Sequence, residues 1–257
     1  MLHAEVEGHG PRLVLAHGFT QTGQSWSTIP DHLSRDHQVV AVDLPGHGRS
    51  AAVRADLAAG ARLLGDAGGP ATYLGYSLGA RFCLSLALSR PDLVTRLVLV
   101  SGTAGIDDAS ERAARRRADG ARAEELERHG VDAFLERWLA LPMFAGQPPS
   151  ERTGAGRQAR TDNTAAGLAS SLRLASTGSL DPPLWNRLHE LTQPVLILAG
   201  EADAKFVAVG RRLAGGIGDS AHLEFIGDAG HAVHLEQPDA FVAALRAWLS
   251  VTGPVHR

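Results

Sequence analysis

The chain has 257 residues, 44% hydrophobic and 21% charged, with a formal net charge of −3. That length suits one α/β domain with a full core and a small insertion, and the mild acidity excludes any general attraction to nucleic acid or acidic membranes. A single cysteine, Cys83, excludes an internal disulfide and fits a reducing compartment. The start, Met1-Leu2-His3-Ala4-Glu5-Val6-Glu7, has no apolar targeting core, and no apolar run nears membrane-spanning length. A cytoplasmic protein without membrane insertion is the expectation.

In chain order, the first clear apolar run is 13–16, ending in His17-Gly18-Phe19. The second, 38–42, ends in the turn-rich Asp43-Leu44-Pro45-Gly46-His47-Gly48-Arg49-Ser50, read as a structural loop beside the site. A helix over 55–64 leads to a strand over 71–74. Gly75-Tyr76-Ser77-Leu78-Gly79 follows, and then a helix over 80–88 in which Cys83 fills core space. Further apolar runs at 96–100, 194–199 and 221–226 each lead into glycine, and the amphipathic 241–249 closes the chain as a helix. Continuous Val/Leu/Ile runs of this kind mark strands buried on both faces, hence a mostly parallel sheet flanked by helices. Ligands of such sheets bind beyond the carboxyl ends of the strands.

Residues 105–189 break this rhythm. They hold no convincing strand, but helices over 111–128, 131–141 and 164–175, with a Gly/Pro/Ser-rich connection over 146–156. The expected organisation is therefore an α/β core of residues 1–104 and 190–257, with a helical cap, 105–189, inserted between strands.

The strand–turn–helix context of Gly75-Tyr76-Ser77-Leu78-Gly79 is that of a nucleophile elbow. Serine is a poor nucleophile or base at neutral pH unless a histidine takes its proton and a carboxylate orients that histidine. Both partners stand at strand ends: Asp203 in Gly200-Glu201-Ala202-Asp203, and His231 in Gly230-His231-Ala232-Val233-His234. Asp203 is preferred to Glu201 because it sits deeper in its loop. His231, directly after the strand-end glycine, is preferred to His234. The order Ser, Asp, His is that of α/β hydrolases. The backbone N–H groups of Phe19 and Leu78 are the expected oxyanion donors, and His17 is read as a structural residue of the first loop.

Arginines are the next signal. Arg81 lies one helical turn after Ser77 and on its face, which leaves two readings: a solvated or ion-paired helix residue, or a contact for an anionic substrate, since arginine suits bidentate carboxylate binding. The cap carries Arg112, Arg115, Arg116, Arg117, Arg122, Arg157, Arg160 and Arg173, most of them read as solvated helix faces.

At these motifs the chain resembles the 2-succinyl-6-hydroxy-2,4-cyclohexadiene-1-carboxylate synthases, α/β-hydrolase-fold enzymes of menaquinone biosynthesis. The resemblance is carried by Ala16-His17-Gly18-Phe19, Gly75 to Arg81, Gly200 to Phe206, Gly230 to Glu236 and the run Ser176 to Trp185. It implies a lyase that expels pyruvate from a small polycarboxylate, without a metal or organic cofactor. By position it assigns substrate contacts to Arg81, Arg115, Arg160, Tyr76 and Trp138, with Arg112, Arg116 and Arg117 near enough to replace Arg115. Many members of that family carry glutamine where Leu180 stands here.

Overall fold

The computed structural model describes residues 1–26 and 28–251; residues 252–257 of the expected core lie outside that range. Seven strands form one sheet: β1 (Ala4–Glu7), β2 (Arg12–Ala16), β3 (Gln38–Val42), β4 (Ala71–Tyr76), β5 (Val94–Val100), β6 (Val195–Gly200) and β7 (Ala221–Ile226). Their order is β1-β3-β2-β4-β5-β6-β7, with β1 antiparallel to β3 and every other neighbouring pair parallel. The helices are α1 (Thr28–Leu33), α2 (Leu57–Gly68), α3 (Leu78–Ser89), α4 (Ala109–Leu139), α5 (Pro149–Thr153), α6 (Ala155–Thr161), α7 (Ala165–Ala175), α8 (Ala204–Ile217), α9 (Val233–Glu236) and α10 (Pro238–Val251).

β4 and β6 are buried at every position, as their unbroken apolar runs require. Successive side chains of a strand point to opposite faces, so each strand feeds two cores. Val14, Tyr73, Leu97 and Ile197 pack with Leu64 of α2, Phe82 and Cys83 of α3 and Leu213 of α8. Leu13, Leu74, Val98 and Leu196 pack on the other face with Leu33 of α1 and with Phe241 and Leu245 of α10. Each fully buried Leu, Val or Phe contributes about 1.5–3 kcal/mol of transfer free energy.

β1 has no counterpart among the predicted strands. It is the antiparallel edge, with Glu5, Val6 and Glu7 exposed, and it is held by backbone pairing to β3 rather than by apolar burial. The predicted helix over 55–64 starts and ends later, because the Asp56 carboxylate accepts the Ala59 N–H at 2.7 Å and so caps α2. Gly130, at φ 79° and ψ 175°, breaks α4, so the predicted helices 111–128 and 131–141 meet there as one kinked element. The connection expected over 146–156 instead contains α5 and the start of α6. α5 buries no residue, so it carries no apolar period to read.

Helices α4 to α7 lie between β5 and β6 in the chain, and α4 and α7 share a small apolar cluster of their own, with Leu126, Phe134, Leu168 and Leu172. Asn163 ties them to the loops below, accepting the Gly48 N–H and donating to the Thr20 carbonyl, both at 2.8 Å. No helix among the described residues is long and apolar enough to cross a membrane.

Candidate active site

β4 passes into α3 through one residue, Ser77, at φ 51° and ψ −99°. A non-glycine residue in the left-handed region costs roughly 1–3 kcal/mol and persists only where its surroundings hold it. Here the Ser77 N–H donates to the Val100 carbonyl at 2.9 Å. The flanking glycines are obligatory: a Cβ on Gly79 would run into the Ala16 carbonyl, and one on Gly75 into the Gly79–Ala80 peptide.

The strained turn delivers Ser77 Oγ to 3.3 Å from His231 Nε2, and His231 Nδ1 lies 3.0 Å from Asp203 Oδ2. Asp203 has a second task. Its Oδ1 accepts the Phe206 N–H at 3.1 Å and caps α8, so both oxygens are anchored. Burial opposes ionisation of Asp203, but the His231 ring, the Phe206 N–H and the Lys205 charge outweigh it and hold the carboxyl below its usual range. Glu201 is exposed. His234 sits buried against the Trp26 and Tyr76 rings, each centroid 4.5 Å away. Burial, with the Arg160 charge, lowers its pKa to about 3, so it is a neutral packing residue.

His17 braces the first loop: its Nδ1–H donates to the Gly18 carbonyl at 2.8 Å and its Nε2 accepts the Leu44 N–H at 3.0 Å. Burial lowers its pKa to about 4, which keeps this tautomer neutral. Beyond it, Phe19 and Leu78 line the same cavity as Ser77 and His231, and their N–H groups have no acceptor among the described residues.

That cavity has a volume of about 660 Å³ and lies at the carboxyl ends of the strands, between the sheet and α4–α7. Arg81 is neither solvated nor in a close ion pair among the described residues. It is 9% exposed, its Nη2 donates to the Ala175 carbonyl at 3.2 Å, and its Nε is buried without an acceptor. Burial, with the nearby Arg115 charge, pushes its pKa down to about 9, the mark of a cation short of a counter-charge. Arg115 also lines the cavity, anchored by Asp119 at 2.6 Å. Arg112 and Arg116 turn away to Asp181, and neither they nor Arg117 line the cavity. Arg160 is 2% exposed and also lines the cavity, with Nη1 on Thr20 Oγ1 at 2.8 Å and Nη2 on Glu151 at 3.3 Å.

Tyr76 lies with its ring centroid 5.5 Å from that of His231. Trp138 stacks on Phe134 at 5.6 Å and meets Phe19 edge-on at 5.2 Å, and its buried Nε1–H has no acceptor. Every residue singled out as a contact from the sequence therefore lines this cavity except Asp203, which stands behind His231. Sequence reasoning missed Gln21, Ser171 and Arg212, and it quoted Trp185 and Lys205 without a role; all five line the cavity as well. For Lys205 and Arg212 the sequence signal is the spacing 205, 209, 212 along one face of α8. Leu180 does not line the cavity; it packs in the core beside Gly105. No group of three or more His, Cys, Asp or Glu side chains that could hold a metal occurs among the described residues.

Residues 13–244 match the alpha/beta hydrolase family. A Bacillus subtilis protein provisionally named as a 2-succinyl-6-hydroxy-2,4-cyclohexadiene-1-carboxylate synthase is 34% identical, over 92% of this chain and 90% of its own. The synthase of that name from Serratia proteamaculans is 33% identical, over 95% of this chain and 94% of its own. The structure of MenH from S. aureus superposes with a TM-score of 0.89 at 30% identity, covering 98% of this chain and 99% of that one.

Proposed function

The chain belongs to the alpha/beta hydrolase family, among the 2-succinyl-6-hydroxy-2,4-cyclohexadiene-1-carboxylate synthases, and on that footing we propose that it is a carbon–oxygen lyase of menaquinone biosynthesis. In this reading it eliminates pyruvate from 2-succinyl-5-enolpyruvyl-6-hydroxy-3-cyclohexene-1-carboxylate and leaves the conjugated cyclohexadiene. The carrying observation is Arg81, a buried guanidinium without a carboxylate partner one turn from Ser77. A hydrolase of neutral esters has no use for such a group. A substrate with three carboxylates supplies what it lacks.

The chemistry follows from the arrangement. Asp203 holds the His231 tautomer whose Nε2 accepts the Ser77 proton. The Ser77 oxygen then removes the ring proton beside the succinyl ketone, and negative charge moves onto the ketone oxygen. The N–H groups of Phe19 and Leu78 stabilise that oxygen, a contribution of about 3–4 kcal/mol per donor in comparable sites. The charge returns through the ring alkene and breaks the C–O bond to the enolpyruvyl group. His231 returns its proton to the departing enolpyruvate, which becomes pyruvate, and Ser77 ends as it began. Arg81, Arg115 and Arg160 bind the carboxylates, while Tyr76 and Trp138 pack against the ring.

The same serine, histidine and oxyanion donors suit a second reading, hydrolysis of an ester, thioester or carbon–carbon bond through an acyl-enzyme. Incubation with the enolpyruvyl substrate separates the two, with pyruvate and diene absorbance followed together. Stoichiometric appearance of both, well above the spontaneous rate, is expected. Turnover no faster than the spontaneous elimination, with burst acylation of Ser77 by esters, would establish the hydrolase instead.

A further inference from the structure

The loop after β2 contains a buried donor with nothing to bind. Gln21 is 1% exposed. Its Oε1 accepts the Gly18 N–H at 2.8 Å, and its own N–H closes a turn onto the Gly18 carbonyl at 3.1 Å. A backbone N–H can bond only to the amide oxygen, so the side-chain orientation is decided and the NH2 group faces away from the loop. That Nε2 is buried, has no acceptor among the described residues and belongs to a side chain lining the cavity. Leaving such a donor unsatisfied is unfavourable, so its position calls for an acceptor from the ligand.

Its surroundings state the chemistry of that acceptor. Thr20, the preceding residue, is held in the left-handed region at φ 69°, with its Oγ1 on Arg160 and its carbonyl on Asn163. Arg160 thus lies against the same loop and lines the same cavity, with its own Nε buried and without an acceptor among the described residues. A neutral donor beside a guanidinium is a pairing for a carboxylate or an enolate oxygen.

We propose that the Gln21 side-chain amide is a substrate-binding, specificity-determining donor, which with Arg160 receives one anionic oxygen of the ring substrate on the loop side of the cavity. This rests on the polycarboxylate reading of the site. It gives Gln21 two separable duties: the oxygen braces the loop that carries the Phe19 N–H, and the nitrogen reads the ligand.

Gln21→Glu separates them, because Glu keeps an oxygen for the Gly18 N–H and replaces the donor with an acceptor. With the enolpyruvyl substrate, its KM is expected to rise tenfold or more, by a larger factor than kcat falls. Gln21→Met, which lacks both functions, should lower kcat as well. A second readout needs no turnover: protection of Ser77 from a neutral fluorophosphonate by benzene-1,3,5-tricarboxylate. The Glu variant should need about ten times more tricarboxylate than the wild type. An unchanged KM, unchanged protection, or no protection of the wild type overturns the inference and leaves Gln21 a loop brace. Wild-type protection that weakens in the Glu variant, without wild-type lyase turnover, sinks the lyase reading alone and leaves the Gln21 assignment standing.

Discussion

The cavity has two halves built on opposite principles. In the proton-transfer half, Ser77, His231 and Asp203 bond to one another, and Asp203 is tied down again by α8. In the other half, which the proposed function assigns to anion binding, Arg81 Nε, Arg160 Nε, Trp138 Nε1, Gln21 Nε2 and Ser171 Oγ are buried without acceptors among the described residues. The first half is complete before any ligand arrives, so its geometry is preorganised for chemistry. The second leaves the folded chain with the desolvation cost of unpaired groups, a cost that the proposed substrate would offset on binding. The first half costs backbone strain at Ser77, and the second costs unpaired polar groups.

The largest effect that would sharpen this contrast is expected at Ser77. Ser77→Gly removes the reactive oxygen, so kcat should fall on the order of a thousandfold or more and fluorophosphonate labelling should vanish. Relief of the left-handed strain should raise Tm at the same time. Labelling that survives the substitution would place the nucleophile elsewhere.

Arg81 tests the other half. Losing a charge-assisted contact of about 1.5–3 kcal/mol lowers kcat/KM roughly 10- to 150-fold, so Arg81→Met should lose that much while aryl-ester hydrolysis falls far less. Because the substitution also removes a buried cation without a counter-charge, the free protein should gain about 2–4 °C in Tm for each kcal/mol recovered. A drop in Tm with equal loss of both activities would make Arg81 a structural strut, and the two halves would no longer differ.

The effect smallest on turnover at neutral pH concerns the pH range over which the scaffold holds. His17, His47 and His234 are held neutral by burial, with pKa values of about 4, 3 and 3 against 6.5 for a free histidine. Below 6.5 the unfolded chain binds protons that the native one refuses, so stability is full above pH 6.5 and declines as pH falls toward 4. Each group contributes a slope of up to about 1.4 kcal/mol per pH unit. Denaturant midpoints at pH 7.5 and 5 measure the loss, and His234→Phe should flatten it. A flat profile in the wild type would mean that these rings are protonated in place.

Local chemistry explains what could be read early and what could not. The glycines around Ser77 are demanded by a turn whose crowding is intrinsic to the motif, so the elbow is visible in five residues. β1 and α5 are not visible, because neither buries an apolar stripe, and β1 depends on backbone pairing supplied by the distant β3. Among the arginines, position in the sequence favours Arg115 but leaves Arg112, Arg116 and Arg117 near enough to replace it. Asp181 and the Gly178 carbonyl draw off Arg112 and Arg116, and Arg115 remains at the cavity.

The sequence by itself determined the parallel sheet, the helical segment between β5 and β6, and the chain order of Ser77, Asp203 and His231, because apolar period and turn chemistry are local properties. Only the tertiary structure decided which groups are left without partners. Whether Arg81 or Gln21 is satisfied depends on atoms contributed by α7, the β2 loop and the cap, far apart in the chain, and an unmet hydrogen bond has no signature until those atoms are brought together.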